Sequence, residues 1–393
     1  MDNFSNDKVD IRSLRRKAFN YRWATLEEDV IPLTAADPDF PTAPEIREAI
    51  SQYCSDGYFS YCPAEGLMDF KIAISQWYFD RYDALCNPEF VLPVNSAAHG
   101  LFITSAKILS LGDNAIIPDP VDFLFRKSIE AAGAEVRTCP IDQDTAWQSI
   151  DAIEELIDAR TRAIFICNPN NPIGKKLPTN FLNELIVLAA KYQLWIVSDE
   201  IWADITFGEP TKSILNRELV DYSKKIVVSG LSKNFGLAGL RIGYVICPNQ
   251  HVFDSIFKSS GHQSTAFGIS GLSQMAGAAA FSKAEYWLEE FKVHLTKMRS
   301  LTIDFINKTN FLAPVRPDAT YLAFPKIINT DLKADELVHL IHQQARVALV
   351  PGGKEWFEQH SDGHIRICYA TSEELLKEAF ERISKVQASK GVF

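Results

Sequence analysis

The chain has 393 residues, 47% of them apolar and 23% charged, with a formal net charge of −10. That length exceeds one average domain and supplies ample core. Interspersed charges of both signs exclude the positive face that a nucleic-acid partner requires. No run approaches the roughly 18 apolar residues that cross a bilayer, and the segment Met1–Asn20 lacks the apolar centre of a secretory signal. A cytoplasmic protein is expected. The cysteines, at 54, 62, 86, 139, 167, 247 and 368, form no CxxC pair. They read as reduced, mostly buried thiols, with neither a metal site nor a disulfide framework.

Residues 1–45 hold Pro/Asp-rich turns rather than strand–helix units. From about 88 to 250, short β-rich runs alternate with helical stretches: Phe90–Val94, Ala115–Pro118, Val136–Cys139, Ala163–Cys167, Leu194–Ser198, Lys225–Ser229 and Arg241–Cys247. Several are apolar on successive residues, as in Ile164-Phe165-Ile166, which is the signature of strands buried on both faces. A long helix is predicted over Lys283–Lys308, with Leu288, Phe291, Leu295, Met298 and Phe305 on one stripe. Then follow strand Tyr321–Phe324, helix Ala334–Ala345, strand Val347–Val350, a Pro351-Gly352-Gly353 turn, strand His364–Tyr369 and a helix from Ser372. The predicted class is α/β: a large domain, residues 46–285, around a mainly parallel seven-stranded sheet flanked by helices. Residues 1–45 and 286–393 are expected to form a smaller α+β domain.

Three segments at the C-terminal ends of predicted strands carry chemistry, at the edge where open α/β sheets bind ligands. In Asn168-Pro169-Asn170-Asn171-Pro172-Ile173-Gly174, prolines and glycine fix a tight loop that either is a plain turn or presents Asn171 rigidly. Asp199, closing an apolar strand, is costly there unless a cation pairs with it, although a helix-capping role also fits. Lys233 lies in a Gly/Ser-rich, apolar-flanked loop, where burial lowers the amine's pKa and frees a neutral nucleophile.

The order Asn171, Asp199, Lys233, Arg241, at spacings of 28, 34 and eight residues, resembles the pyridoxal 5′-phosphate (PLP) aminotransferases of fold type I, the aspartate-aminotransferase fold. The resemblance runs from Ala35 to Arg366. It implies that Lys233 holds the cofactor as a Schiff base and shuttles a proton, that Asp199 pairs with the pyridine nitrogen, and that Asn171 binds the 3′-oxygen and orients the substrate carboxylate. It implies a phosphate site made by Arg241, by Ser229 and Ser232, and by Ser96-Ala97-Ala98 at a helix N-terminus. Tyr61 matches a tyrosine that reaches the phosphate of a neighbouring subunit, so a homodimer with shared active sites is implied. Arg366 matches the arginine for the substrate α-carboxylate, and Ala36 the small residue beside the substrate. The partners so implied are a free amino acid and a 2-oxo acid.

Two positions depart from the family pattern. Where an aromatic residue usually stacks on the cofactor ring stands Asp122, and a one-residue shift that lets Phe123 cover the ring is preferred. Trp202 replaces a common tyrosine and brings only an N–H. Ala36-Asp37-Pro38-Asp39-Phe40 and the run Asp199–Ile205 also resemble the cystathionine β-lyase-like C–S lyases. Transamination is preferred, with β/γ-elimination, replacement or cyclisation as the alternative. A ligand-sensing regulator is disfavoured by the absence of a basic helix-turn-helix segment. If Asp122 faces the pocket, a cationic substrate is expected.

Overall fold

Apolar runs too short for a helix satisfy their backbone away from water by pairing with one another. The computed structural model, which describes residues 3–142, 149–264 and 268–390, shows that pairing. In chain order the strands are β1 (Ile31–Pro32), β2 (Val91–Val94), β3 (Asn114–Asp119), β4 (Glu135–Pro140), β5 (Thr161–Cys167) and β6 (Trp195–Asp199). They continue with β7 (Lys225–Gly230), β8 (Gly243–Ile246), β9 (Leu322–Ala323), β10 (Val347–Ala348), β11 (Val350–Pro351) and β12 (Ile365–Cys368).

Seven of them form the central sheet in the order β2-β8-β7-β6-β5-β3-β4. Strand β8 runs antiparallel to both its neighbours, and the pairs β7–β6, β6–β5, β5–β3 and β3–β4 are parallel. Strands β2, β3, β7 and β8 are buried at every residue, as their unbroken apolar runs predict. The predicted start of the seventh strand at Arg241 shifts to Gly243, because Arg241 takes the left-handed backbone (φ 52) and cannot enter a ladder.

Two smaller sheets accompany it. β1 pairs in parallel with β10, and β11-β12-β9 form an antiparallel sheet in which Val350 faces Arg366. The single strand predicted over Val347–Val350 is therefore split at Leu349, its halves joining different sheets. The long helix, Glu285–Lys308, buries Leu288, Phe291, Leu295, Met298 and Phe305, the stripe seen in the sequence. No helix among the described residues is long and apolar enough to cross a membrane.

What this topology does for function is to bring the C-terminal ends of β2, β3, β5, β6 and β7 to one edge. Asp199 ends β6, and the loops that follow the other four carry Ser96, Asp122, Asn171 and Lys233. Gly174 (φ 69) shows how tightly one of them is held: a Cβ there would lie 2.7 Å from Pro317 Cβ and 2.8 Å from the Ala319 carbonyl oxygen.

Candidate active site

Along that edge lies a cavity of about 340 Å³, lined among others by Ala36, Ser96, Ala97, Ala98, Asp122, Phe123, Asn171, Asp199, Trp202, Ser232, Lys233, Arg241 and Arg366. Twelve of these thirteen come from the sites singled out in the sequence; Asp122 is the departure from the family pattern. The wall also includes Asn20, Tyr21, Val350, Trp356 and Phe357, which carried no motif in the sequence.

Lys233 follows the end of β7. Its Nζ donates to the Ala36 carbonyl oxygen at 2.6 Å and lies 5.6 Å from the centre of the Trp202 ring. Burial lowers its pKa, and Arg366 adds to the fall, while Asp37 and Asp122 oppose it. The same Ala36 oxygen accepts from Tyr321 Oη at 3.3 Å, and Tyr321 packs edge-on to Trp202 with centroids 4.7 Å apart. The lysine loop is anchored from behind: Asn234 Nδ2 donates to Asp204 Oδ2 at 2.6 Å, and Asp204 is also held by Trp77, Tyr82 and Arg81.

Asp199 ends β6, beside Cys167 in the β5–β6 register. One oxygen accepts from the Ile201 N–H at 3.0 Å. Burial pushes its pKa up to about 7, with Asp122 and Glu200 raising it further. Neighbouring Glu200 is also raised to about 7 by burial, but it is tied to Ile214 N–H, Ser198 and Ser213. Glu200 is thus a structural acid, and Asp199 is the one lining the cavity.

Asn171, Arg366 and Asp122 form a chain of contacts across the cavity wall. Arg366 Nη1 donates to Asn171 Oδ1 at 3.2 Å, and Asn171 Nδ2 donates to Asp122 Oδ2 at 3.0 Å. Arg366 Nη2 donates to the Thr34 carbonyl at 3.1 Å, its guanidinium lies 4.9 Å from the Phe357 ring centre, and its Nε has no hydrogen-bond partner. A guanidinium has only donors, so it fixes which end of the Asn171 amide it meets. Phe123 lies to one side, edge-on to Trp356 at 6.3 Å, with Lys127 Nζ 5.0 Å from its ring centre. The carboxylate beside Asn171 belongs to Asp122.

Ser96 caps the helix Ala97–Ile108 by accepting from the His99 N–H at 3.1 Å, so the helix start with its free N–H groups opens on the cavity. Arg241 stands next to it, Nε donating to Asn95 Oδ1 at 3.1 Å. Gly243 permits this approach: a Cβ there would meet the Ser96 carbonyl carbon at 2.6 Å and the Ala97 nitrogen at 2.7 Å. Helix dipole, backbone donors and a guanidinium together make an anion site.

Two of the predicted residues fall outside this wall. Ser229 is buried within β7, where its hydroxyl engages the Tyr244 phenol, because a strand turns alternate side chains to opposite faces. Ser229 is thus not among the residues lining the cavity, whereas Ser232 is. Tyr61 is 85% exposed and lies away from this chain's cavity, near His262 and Gly271. Trp356 and Phe357 were missed because they sit on a short turn after Gly353 that approaches the cavity only through tertiary hydrogen bonds. Those run from the Phe123 and Val121 N–H groups to their carbonyls.

A buried amine, a strand-end acid without an ion pair among the described residues, an anion cradle with an exposed guanidinium, and a second guanidinium that is buried are the parts of a fold type I PLP site. The chain belongs to the aminotransferase class I and II family, whose sequence profile matches residues 28–383, and it is a PLP-dependent aminotransferase. It is 28% identical over 367 residues to the aspartate aminotransferase of Pyrococcus horikoshii, covering 92% of each chain. The aspartate aminotransferase of Thermotoga maritima is 29% identical over 358 residues, with 91% of each covered. Among solved structures, the aromatic aminotransferase from Pyrococcus horikoshii OT3 superposes with a TM-score of 0.85 at 27% identity, covering 94% of this chain and 99% of that one.

The residues present fit the cofactor. Its phosphate matches the cradle of Ser96, Ala97, Ala98 and Arg241 on the cavity wall, and its ring nitrogen matches Asp199, which has no cation of its own among the described residues. Replacing Gly243 with alanine is expected to push the helix start off β8, costing about 1–3 kcal/mol. The same change should weaken cofactor retention in equilibrium dialysis at least about tenfold, while Gly239→Ala, where no atom lies within 4 Å, should do neither.

Proposed function

We propose that this protein moves an amino group between a free L-amino acid and a 2-oxo acid, with Lys233 as the catalytic amine. The observation that carries the assignment is its buried amine, held 2.6 Å from a backbone carbonyl in the same cavity as Asp199, Asn171 and Arg366. When bound, the cofactor supplies an aldehyde that takes up the amino group and a ring that draws electrons from the substrate Cα. Asp199, as a carboxylate, holds the ring-nitrogen proton in place. Arg366 binds the substrate α-carboxylate through its planar fork, and Asn171 orients it. With the cofactor bound, Lys233 Nζ would be the base that takes up the substrate Cα proton and gives one back. Ser96, Ala97, Ala98, Ser232 and Arg241 grip the phosphate, while Ala36 and Trp202 wall the substrate space.

The reading includes a cytoplasmic homodimer, with a large unit of residues 46–285 and a smaller one of 1–45 and 286–393. The parallel pairing of β1 with β10 supports the smaller unit. Tyr58, Phe59 and Tyr61 are 80%, 66% and 85% exposed on one loop, an apolar surface that a second copy would cover, with Tyr61 reaching the partner's phosphate site. Seven free cysteines agree with a reducing compartment.

A test without a second substrate separates the chemistries. Holoenzyme mixed with an amino acid alone should release one 2-oxo acid per site and keep the amino group on the cofactor, seen as loss of the cofactor's long-wavelength absorbance. Continuous ammonia release would make the protein a lyase and overturn the proposal. Within it, Arg366→Lys removes two charge-assisted hydrogen bonds and is expected to lower kcat/KM about 10²–10³-fold, mostly through KM. Steady-state kinetics with saturating 2-oxo acid measures this.

A further inference from the structure

The charged side chains lining the cavity are Asp122, Asp199, Lys233, Arg241 and Arg366. Under the proposed function, on which this inference rests, four of the five have counterparts: the ring nitrogen, the amino group, the phosphate and the substrate α-carboxylate. Asp122 has none. Its two hydrogen bonds come from neutral donors, the Leu124 N–H at 3.1 Å and the Asn171 amide at 3.0 Å. An ionised carboxylate offers about four acceptor sites, so about two remain. Among the described residues it makes no direct ion pair, Arg366 and Lys233 attracting it only from a distance, and a buried carboxylate is costly unless a cation joins it.

The surroundings suit a cation that brings several N–H groups. Phe123, Trp356 and Phe357 line the same cavity. Phe123 already carries the Lys127 ammonium 5.0 Å from its ring centre, and Phe357 carries the Arg366 guanidinium at 4.9 Å. Aromatic faces of this kind attract guanidinium and ammonium groups. No arginine or lysine on the wall is left over for an acidic side chain, since Arg241 and Arg366 are both assigned. We infer that Asp122 is the specificity-determining residue of this site and that it selects amino acids with a cationic, guanidinium- or ammonium-bearing side chain.

The test uses ligands with no α-amino group to transfer. Holoenzyme is titrated calorimetrically with 5-guanidinopentanoate, 6-aminohexanoate, pentanoate and glutarate, all of which have the carboxylate and lack the α-amino group. The cationic pair is expected to bind wild type at least about tenfold more tightly than pentanoate, and glutarate to bind most weakly. In Asp122→Asn the amide oxygen still accepts from Asn171, so the wall keeps its arrangement while the charge is gone. This variant should bind all four within about threefold of pentanoate.

Equal binding of the four acids by wild type overturns the inference, whatever the variant does. So does an Asp122→Asn variant that keeps the cationic preference, or one that loses affinity for every ligand alike, which would make Asp122 only a positioning residue for Asn171. Failure of the aminotransferase reading looks different: the cationic ligands would still rank first while no amino acid yields a 2-oxo acid.

Discussion

Lys233→Ala is expected to lower amino-transfer activity by at least about 10⁴-fold, the combined loss of a nucleophile and a general base. Fold should survive. The native amine makes one hydrogen bond to the Ala36 carbonyl and no ion pair among the described residues, so its loss removes a desolvated amine rather than a strut. Borohydride reduction followed by peptide mass analysis should find the cofactor on the peptide bearing Lys233 in wild type and nowhere in the variant. The lowered pKa adds a pH dependence with a definite sign. Cofactor capture requires the neutral amine, so its rate should rise with pH and level off below the range of an ordinary lysine. A trapped cofactor on another lysine, or activity within tenfold of wild type, removes the assignment.

Asp199→Asn should move activity and stability in opposite directions. Activity is expected to fall about 10²–10⁴-fold, because a neutral amide does not hold a proton on the ring nitrogen. The cofactor-free protein, by contrast, should gain stability at alkaline pH. In the fold the Asp199 pKa is raised to about 7, against about 3.9 in an unfolded chain. An acid raised in this way favours the fold most when protonated in both states, below about pH 4, and that contribution is lost as pH rises through about 7. The difference is at most roughly 4 kcal/mol, reduced by whatever the new amide N–H₂ leaves unpaired. Glu200 is raised to about 7 as well and repels Asp199, so relief of that repulsion is part of the gap between the two proteins. Urea unfolding of both cofactor-free proteins at pH 4.5 and pH 8 measures the gap, which should widen with pH. An unchanged gap would mean that Asp199 is not buried as an unpaired acid.

The two departures from the family pattern meet in one place. Trp202 is buried against Tyr321, below the Lys233 amine, where many relatives have a hydroxyl. Asp122 sits on the Asn171 amide, where the family usually has a ring. Both changes alter the polar contacts available to the cofactor and substrate while leaving the amine, strand-end acid and guanidinium in place.

Much of this was legible in the sequence because it depends on neighbours along the chain. Short β-rich runs identified the seven strands of the central sheet, several of them apolar on successive residues because they are buried on both faces, whereas the edge strand β4 is mostly half-buried. The 3.6-residue stripe placed the helix over Glu285–Lys308 for the same kind of reason. The spacing from Asn171 to Asp199 reflects one helix–strand unit, and that from Asp199 to Lys233 a loop and the strand β7. The tertiary structure alone decided which residues share a wall. Ser229 and Ser232 are three apart, yet a strand's alternation turns one toward Tyr244 and the loop leaves the other on the cavity. Trp356 and Phe357 arrive from far along the chain through backbone hydrogen bonds that no local pattern encodes. The choice between Asp122 and Phe123 likewise rests on an Asn171 amide 49 residues away, a contact that exists only once β3 and β5 lie side by side.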